Sequence, residues 1–270
     1  FLMKPGSWRT AVKVAVWAAE VAKEFWARVG VEEPFPRNLR DPIRSLPLTL
    51  QPIPELTTAR AFHWLQRVGI ELEREDFEKE VSTGQPPFPF SPDRGLRGCL
   101  VARHGHGFLF VDDADPMDEQ CFTLAHELAH FLRDYRRPRQ LAVQHLGLQA
   151  LEVLDGKRPA TPGERVGALL GKAPLGFHVH LMDRDEQRRP VDWQSVDAEA
   201  SADCLACELL APAEHVYANR AGHETRTSLE NRLVQHYGLP AAQARQYARQ
   251  LLGAQQPVEP WLVALRESLQ

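Results

Sequence analysis

Residues 121–135, CFTLAHELAHFLRDY, constrain this chain more than any other stretch. Phe122, Leu124, Ala125, Leu128, Ala129, Phe131 and Leu132 surround His126, Glu127 and His130 with apolar side chains, so a helix here is bound for the interior. On an α-helix, residues four apart lie on one face with Cβ atoms ~5–6 Å apart. His126 and His130 can then aim an imidazole nitrogen at one point, while Glu127 reaches the space beside it. Burying two imidazoles and a carboxylate on an apolar element is costly without a partner. The spacing H-E-x-x-H is the one in which two histidines bind zinc and the glutamate serves as general base.

The rest of the composition admits such a centre and excludes some alternatives. A chain of 270 residues, 43% hydrophobic, can bury a sizeable core. With Lys+Arg 32 against Asp+Glu 36, it lacks the overall basic balance of a dedicated nucleic-acid binder, although a local basic patch remains open. Cys99, Cys121, Cys204 and Cys207 do not form a disulfide framework, which points to a reducing, cytoplasmic setting. The apolar stretch VKVAVWAAEVAKEFWARVG is interrupted by Lys13, Glu20, Lys23 and Glu24, which argues against a membrane span or a signal peptide.

Along the chain, residues 1–54 read as an amphipathic helix (7–29, with Val12, Val16, Ala19, Phe25 and Trp26 apolar) and a Pro-rich connector from Pro34 to Pro54 that excludes regular helix. Residues 55–255 read as the main domain. A helix over 57–68 precedes IELE, a strand by pattern, and QPPFPFSPDRGLR, a loop. GCLVA and GFLFVDD form a hairpin about the turn at residues 104–107. Asp115 and Pro116 open the helix that carries the two histidines. Residues 136–193 are charged and irregular, with helices expected at 141–154 and 163–171 and a strand-like FHVHLM. AEASADCLACELLAP is helical up to Pro212, a helical pair follows within 227–252, and residues 256–270 are a tail.

Two histidines and an open position make an incomplete metal site, because a catalytic zinc takes three protein ligands and keeps a fourth place for water. Glu199 and Asp203, again four apart on a helix, are the candidates to complete it. Glu199 would be the third ligand, and Asp203 would accept the free ring N–H of a ligating histidine and fix its tautomer. The plainer explanation is an acidic helix start, but Asp203 lies among Ala202, Cys204, Leu205 and Ala206, which is no solvated face. A donor for the developing oxyanion is also needed. His145, His178 and His180 are available, and the sequence does not choose among them.

FTLAHELAHFL, preceded by GFLFVDDADP and followed by E-x-x-A-D-x-x-A-x-x-L-L-x-P (Glu199, Ala202, Asp203, Ala206, Leu209, Leu210, Pro212), resembles the ImmA/IrrE family of bacterial metallopeptidases over about residues 57–252. The resemblance implies an α+β, mostly helical zincin-like fold with a small three-stranded sheet on the HExxH helix. It also implies one Zn2+ per chain held by His126, His130 and Glu199, with Glu127 as catalytic base. It implies a partner too: a helix-turn-helix repressor, cleaved to derepress a DNA-damage or anti-phage defence operon. The family's usual Asn is Asp203 here, its usual Met is Ala211, and residues 136–193 form a longer connection that reads as an added regulatory segment.

Two features suggest regulation. If GCLVA were the edge strand that receives substrate, Cys99 would lie near the open coordination position and could block it as a thiolate. Cys99 as a small buried hydrophobe is at least as common a role. Arg133, Arg136, Arg137 and Arg139 about Tyr135 form either a solvated helix end or a patch for single-stranded DNA, an activating signal, with Tyr135 stacking on a base. Cys204-x-x-Cys207 and Cys121 read as core. The competing function is a non-catalytic regulator with a structural metal, binding DNA or a partner through SLENRLVQHYGLPAAQARQYARQLL.

Overall fold

The prolines between residues 34 and 54 exclude regular α-helix and allow one short 3-10 turn, Pro42–Ser45, yet they leave room for a strand at a sheet edge, where a missing N–H is harmless. In the computed structural model, which describes residues 16–30, 34–70, 93–162, 164, 177–184, 193–220 and 224–253, Leu48–Ile53 is such a strand (β1). Leu96–Arg103 (β2), His106–Asp112 (β3) and Phe177–Asp183 (β4) complete a sheet in the order β1-β3-β2-β4. The sheet therefore has four strands rather than the three expected, and the extra one comes from the Pro-rich connector. β1 runs parallel to β3, and the pairings β3–β2 and β2–β4 are antiparallel. The β2–β3 hairpin turns on His104 (φ 51) and Gly105 (φ 83), the paired positive φ values of a tight two-residue loop. The expected strand IELE beyond its first residue, most of the expected helix at 163–171, residues 7–15 and the tail at 256–270 lie outside the described residues.

The helices are Val16–Val29 (α1), Thr58–Arg67 (α2), Met117–His130 (α3), Arg137–Leu146 (α4), Ala150–Leu154 (α5), Trp193–Leu210 (α6), Ala213–Ala218 (α7), Arg226–Gln235 (α8) and Ala241–Gly253 (α9). The helix expected at 141–154 is two, broken at Gly147 (φ 81). α1 buries Ala18, Ala22 and Phe25 and packs Trp26 on the core, so Phe25 and Trp26 lie inward as expected while Val16 and Ala19 are exposed. Among the described residues no helix is long and apolar enough to cross a membrane.

Successive residues of a strand face opposite sides, and both faces of this sheet are covered. Leu100, Ala102, Leu109 and Val111 pack with Phe122, Ala125, Leu128 and Ala129 of α3. Cys99, Val101 and Phe110 pack on the other side with Leu56 and with Ala61 and Leu65 of α2. Buried Asp112 secures the end of β3. Its carboxylate accepts from Glu55 N (2.8 Å), Leu56 N (3.1 Å) and Ala114 N (3.0 Å), and from Arg184 just beyond β4 (2.6 Å). One side chain thus fixes the β1–α2 turn and the end of β4.

α6 is held at its C-terminal end by buried Glu208, which accepts from Tyr247 Oη of α9 (2.8 Å) and Ala213 N of α7 (3.2 Å). Burial outweighs those two donors and pushes this carboxyl up to about 7. A group protonated in the fold but ionised when unfolded stabilises fully below its unfolded value and loses that contribution as pH rises through about 7. Wild-type stability should therefore fall between pH 4 and 8 relative to Glu208→Gln by about 3 kcal/mol. Paired urea titrations at several pH values measure the difference.

Candidate metal centre

α3 lies against the sheet where β2 has Gly98. A Cβ there would come within 2.5 Å of Thr123 Cγ2 and 3.0 Å of Glu127 Oε1, so glycine is what lets the helix and its glutamate approach. Both histidines of α3 are buried, at 2% (His126) and 3% (His130) exposure. Each ring is oriented through Nδ1. His126 Nδ1–H donates to Asp203 Oδ1 of α6 (2.9 Å), and His130 Nδ1–H donates to Asp134 Oδ2 (2.7 Å). An imidazole that gives its Nδ1 proton to a carboxylate presents its Nε2 lone pair to the other side. The two Nε2 atoms sit 3.2 Å apart. Glu199 closes the triangle, with Oε2 3.3 Å from His126 Nε2 and Oε1 3.7 Å from His130 Nε2.

Asp134 belongs to a π-helical turn, Phe131–Arg136, that continues α3 and precedes Pro138, which has no N–H to donate. Arg133 braces this turn: its Nε donates to Asp134 Oδ1 (2.7 Å) and its Nη1 to the Ala198 carbonyl of α6 (2.8 Å). Sequence reasoning missed Asp134 as a partner, although it lies four residues beyond His130, the same interval that singled out Asp203.

A third histidine enters from β4. His180 Nδ1 is 2.9 Å from Glu127 Oε2, its Nε2 is 2.9 Å from Glu199 Oε1, and its ring stacks on that of His130 at 3.6 Å. Of the three histidines left undecided by the sequence, His180 is the one at the centre. His145 is exposed on α4, and His178 stacks against Tyr135. His126, His130, His180 and Glu199 together could hold a metal ion, each offering one donor atom within 4.8 Å of the others.

The charges of the cluster point the same way. Burial opposes protonation of His126 and His180, but the carboxylates outweigh it and raise them to about 9 and about 10. Burial and the two neighbouring rings hold His130 well below its usual range. Glu199 is only partly buried, and its imidazole contacts keep it well below the usual carboxylate range despite that burial. Four carboxylates converge on three imidazoles here, favouring protonation of His126 and His180 but not of His130.

The two regulatory features expected from the sequence lie elsewhere. Gly98 faces α3, so its neighbour Cys99 faces α2 on the far side of the sheet, fully buried. Burial pushes its thiol well above the usual range, with the Glu127 charge adding to the effect. β2 is also an interior strand, whereas β4 is the outer one on that side among the described residues. Tyr135 is 1% exposed and accepts a hydrogen bond from Gly105 N (2.8 Å), so its ring is not available to a base. Arg139 is buried and paired with Asp155 (2.7 Å), and Arg133 braces the site. Arg136 and Arg137 are what remains of that patch. Cys204 and Cys207 are free thiols in the core, and Cys121 is a free, half-buried one.

Gly98→Ala should cost about 1–3 kcal/mol in chemical denaturation, because Thr123 and Glu127 must both shift. Gly95→Ala is the control, since the nearest atoms its Cβ would meet are at 3.8 Å.

No curated protein and no solved structure matches the chain. A family model does match over residues 65–150, a span that holds β2, β3, α3, the π-helical turn and α4. His126, Glu127, His130 and Asp134 fall inside the match, whereas His180 and Glu199 follow it. Residues 65–150 match the model of the Peptidase_M78 family, described as an IrrE N-terminal-like domain, and this similarity supports a metallopeptidase of the ImmA/IrrE type.

Proposed function

We propose that this chain is a zinc-dependent endopeptidase, with His126, His130 and Glu199 holding the ion and Glu127 acting as base. The observation that carries the reading is the pair of buried Nε2 atoms 3.2 Å apart, each with its Nδ1 proton already given to a carboxylate. Two facing lone pairs repel unless a cation or a proton lies between them. Ligands ~2.0–2.1 Å from a tetrahedral zinc are ~3.3–3.4 Å from one another. The observed edges of 3.2 Å and 3.3 Å fit that spacing. An all-nitrogen-and-oxygen donor set with two imidazoles suits zinc better than calcium or magnesium.

When bound, zinc would supply Lewis acidity, acidifying a water and polarising the scissile carbonyl. Everything else is the work of the chain. Glu127 has the geometry of a proton carrier: it is fully buried, and its Oε1 has no hydrogen-bond partner among the described residues. It takes a proton from the attacking water and delivers it to the leaving amine. Asp203 and Asp134 hold the two rings in the required tautomer. The substrate in this reading is a regulatory protein, a helix-turn-helix repressor being the kind the ImmA/IrrE resemblance suggests. α8 and α9 bury Leu229, Leu233, Tyr247 and Leu251 in the main core, which gives the C-terminal helices a structural task of their own.

Glu127→Gln, loaded at saturating zinc so that it carries one ion per chain as the wild type does, should lower peptide-bond cleavage at least 100-fold with the melting temperature unchanged. New N-termini in a peptide library read by mass spectrometry, beside elemental analysis, check both halves. Asp134→Asn and Asp203→Asn should each weaken zinc binding by roughly 10- to 100-fold in a competition titration with a chelating dye.

A further inference from the structure

His180 repeats, at a third ring, what His126 and His130 do. The Nδ1 of each ring meets a different carboxylate: Asp203 at 2.9 Å, Asp134 at 2.7 Å and Glu127 at 2.9 Å. The Nε2 of each then lies close to the one carboxylate of Glu199, at 3.3 Å, 3.7 Å and 2.9 Å. Carboxylate–imidazole pairs with the second nitrogen directed inward are how proteins present histidines to a metal. Here there are three of them, built on α3, α6, the π-helical turn and β4. The glutamate that a peptidase needs free is committed, because one of its oxygens is bound to His180.

We propose that His180 is a fourth metal ligand, that the resting centre is a closed three-histidine, one-glutamate site, and that His180 must leave before the centre can hydrolyse a peptide. The regulatory half of this inference rests on the peptidase reading; the ligand half does not. Four protein ligands mark a site without an exchangeable position, and three mark one that admits water. His180 lies between Glu127 and Glu199, the space a water or a scissile carbonyl would need, so its presence and substrate binding exclude one another. Glu127 consequently has two states: orienting partner of His180 while the site is closed, base once the ring has gone. β4 suits such a part because, among the described residues, β2 is its one neighbour in the sheet. Beyond His180 the strand is pinned by Arg94 to Asp183 (3.2 Å) and by Arg184 to Asp112 and Asp115, so release is local to the ring rather than a loss of the strand.

The test uses cobalt-substituted protein, whose visible spectrum reports the coordination shell, with azide as a probe of any open position. Wild-type protein should show no spectral response to azide, His180→Ala should respond, and the metal affinity of the variant should fall at least 10-fold. His180→Gln, which keeps the volume, serves should the alanine variant not fold. Glu127→Gln should weaken metal binding in the wild-type background but not in the His180→Ala background, a coupling that a merely structural histidine would not show. Cleavage of the peptide library should rise at least 10-fold in His180→Ala. A wild-type centre that already binds azide, or a variant whose spectrum and affinity are unchanged, would overturn the proposal. Loss of cleavage in His180→Ala from an active wild type would overturn it too, by making His180 a participant in the reaction. If azide binding appears in the variant while neither protein cleaves any peptide, His180 stands as a ligand and the peptidase reading falls.

Discussion

The centre depends on imidazoles giving their Nδ1 protons to carboxylates. A histidine on a buried helix face has two ring nitrogens to satisfy, and an apolar surround satisfies neither. Asp203 and Asp134 solve half of that problem for His126 and His130, and in doing so they decide which nitrogen is left over. The unsolved half, two Nε2 atoms and the Glu199 carboxylate within 3.7 Å of one another, is the functional part. Removing either aspartate would leave the ring in place but its tautomer undetermined.

That arrangement needs α3, α6 and the sheet in fixed relation, and a few polar contacts hold them there. Arg133 joins the turn after α3 to the Ala198 carbonyl, one residue before Glu199, so the Glu199 carboxylate is placed by a side chain of that turn. Asp112 does for β4 what Arg133 does for α6, by holding Arg184 just past the strand's end. Gly98 lets the helix come close enough for Glu127 to sit beside His180. None of these residues touches the cluster's inner atoms, and each sets the position of one that does.

The parts of the site legible in the sequence are those carried by a local period. His126, His130, Glu199 and Asp203 follow from i, i+4 spacing on two helices, and Asp134 obeys the same interval. His180 was visible only as one of three histidines, because its approach depends on β4 pairing with β2, a contact between distant residues that no local pattern encodes. Cys99 went astray for a related reason. Both faces of GCLVA are apolar, so hydrophobic alternation does not say which face meets α3, and an error of one residue moves a side chain through the sheet. Tyr135 and Arg139 looked like a surface patch because a helix C-terminal end is usually solvated. Here the π-helical turn and α4 carry them back into the core, where a hairpin N–H and Asp155 satisfy them. The fold class was legible from the runs of strand and helix, while β1 was hidden by prolines that an edge strand tolerates.

The segment between the two motifs is thus part of the site rather than an appendage to it. A chain with only α3 and α6 would present two histidines and a glutamate around an open position. The connection between them here returns to the sheet as β4 and lays His180 across Glu127 and Glu199. A basic side chain placed between two carboxylates is stable in the absence of a metal and competes with water in its presence. Of residues 136–193, read in the sequence as an added regulatory segment, it is His180 that meets Glu127 and Glu199, so any movement of that ring changes what surrounds Glu127.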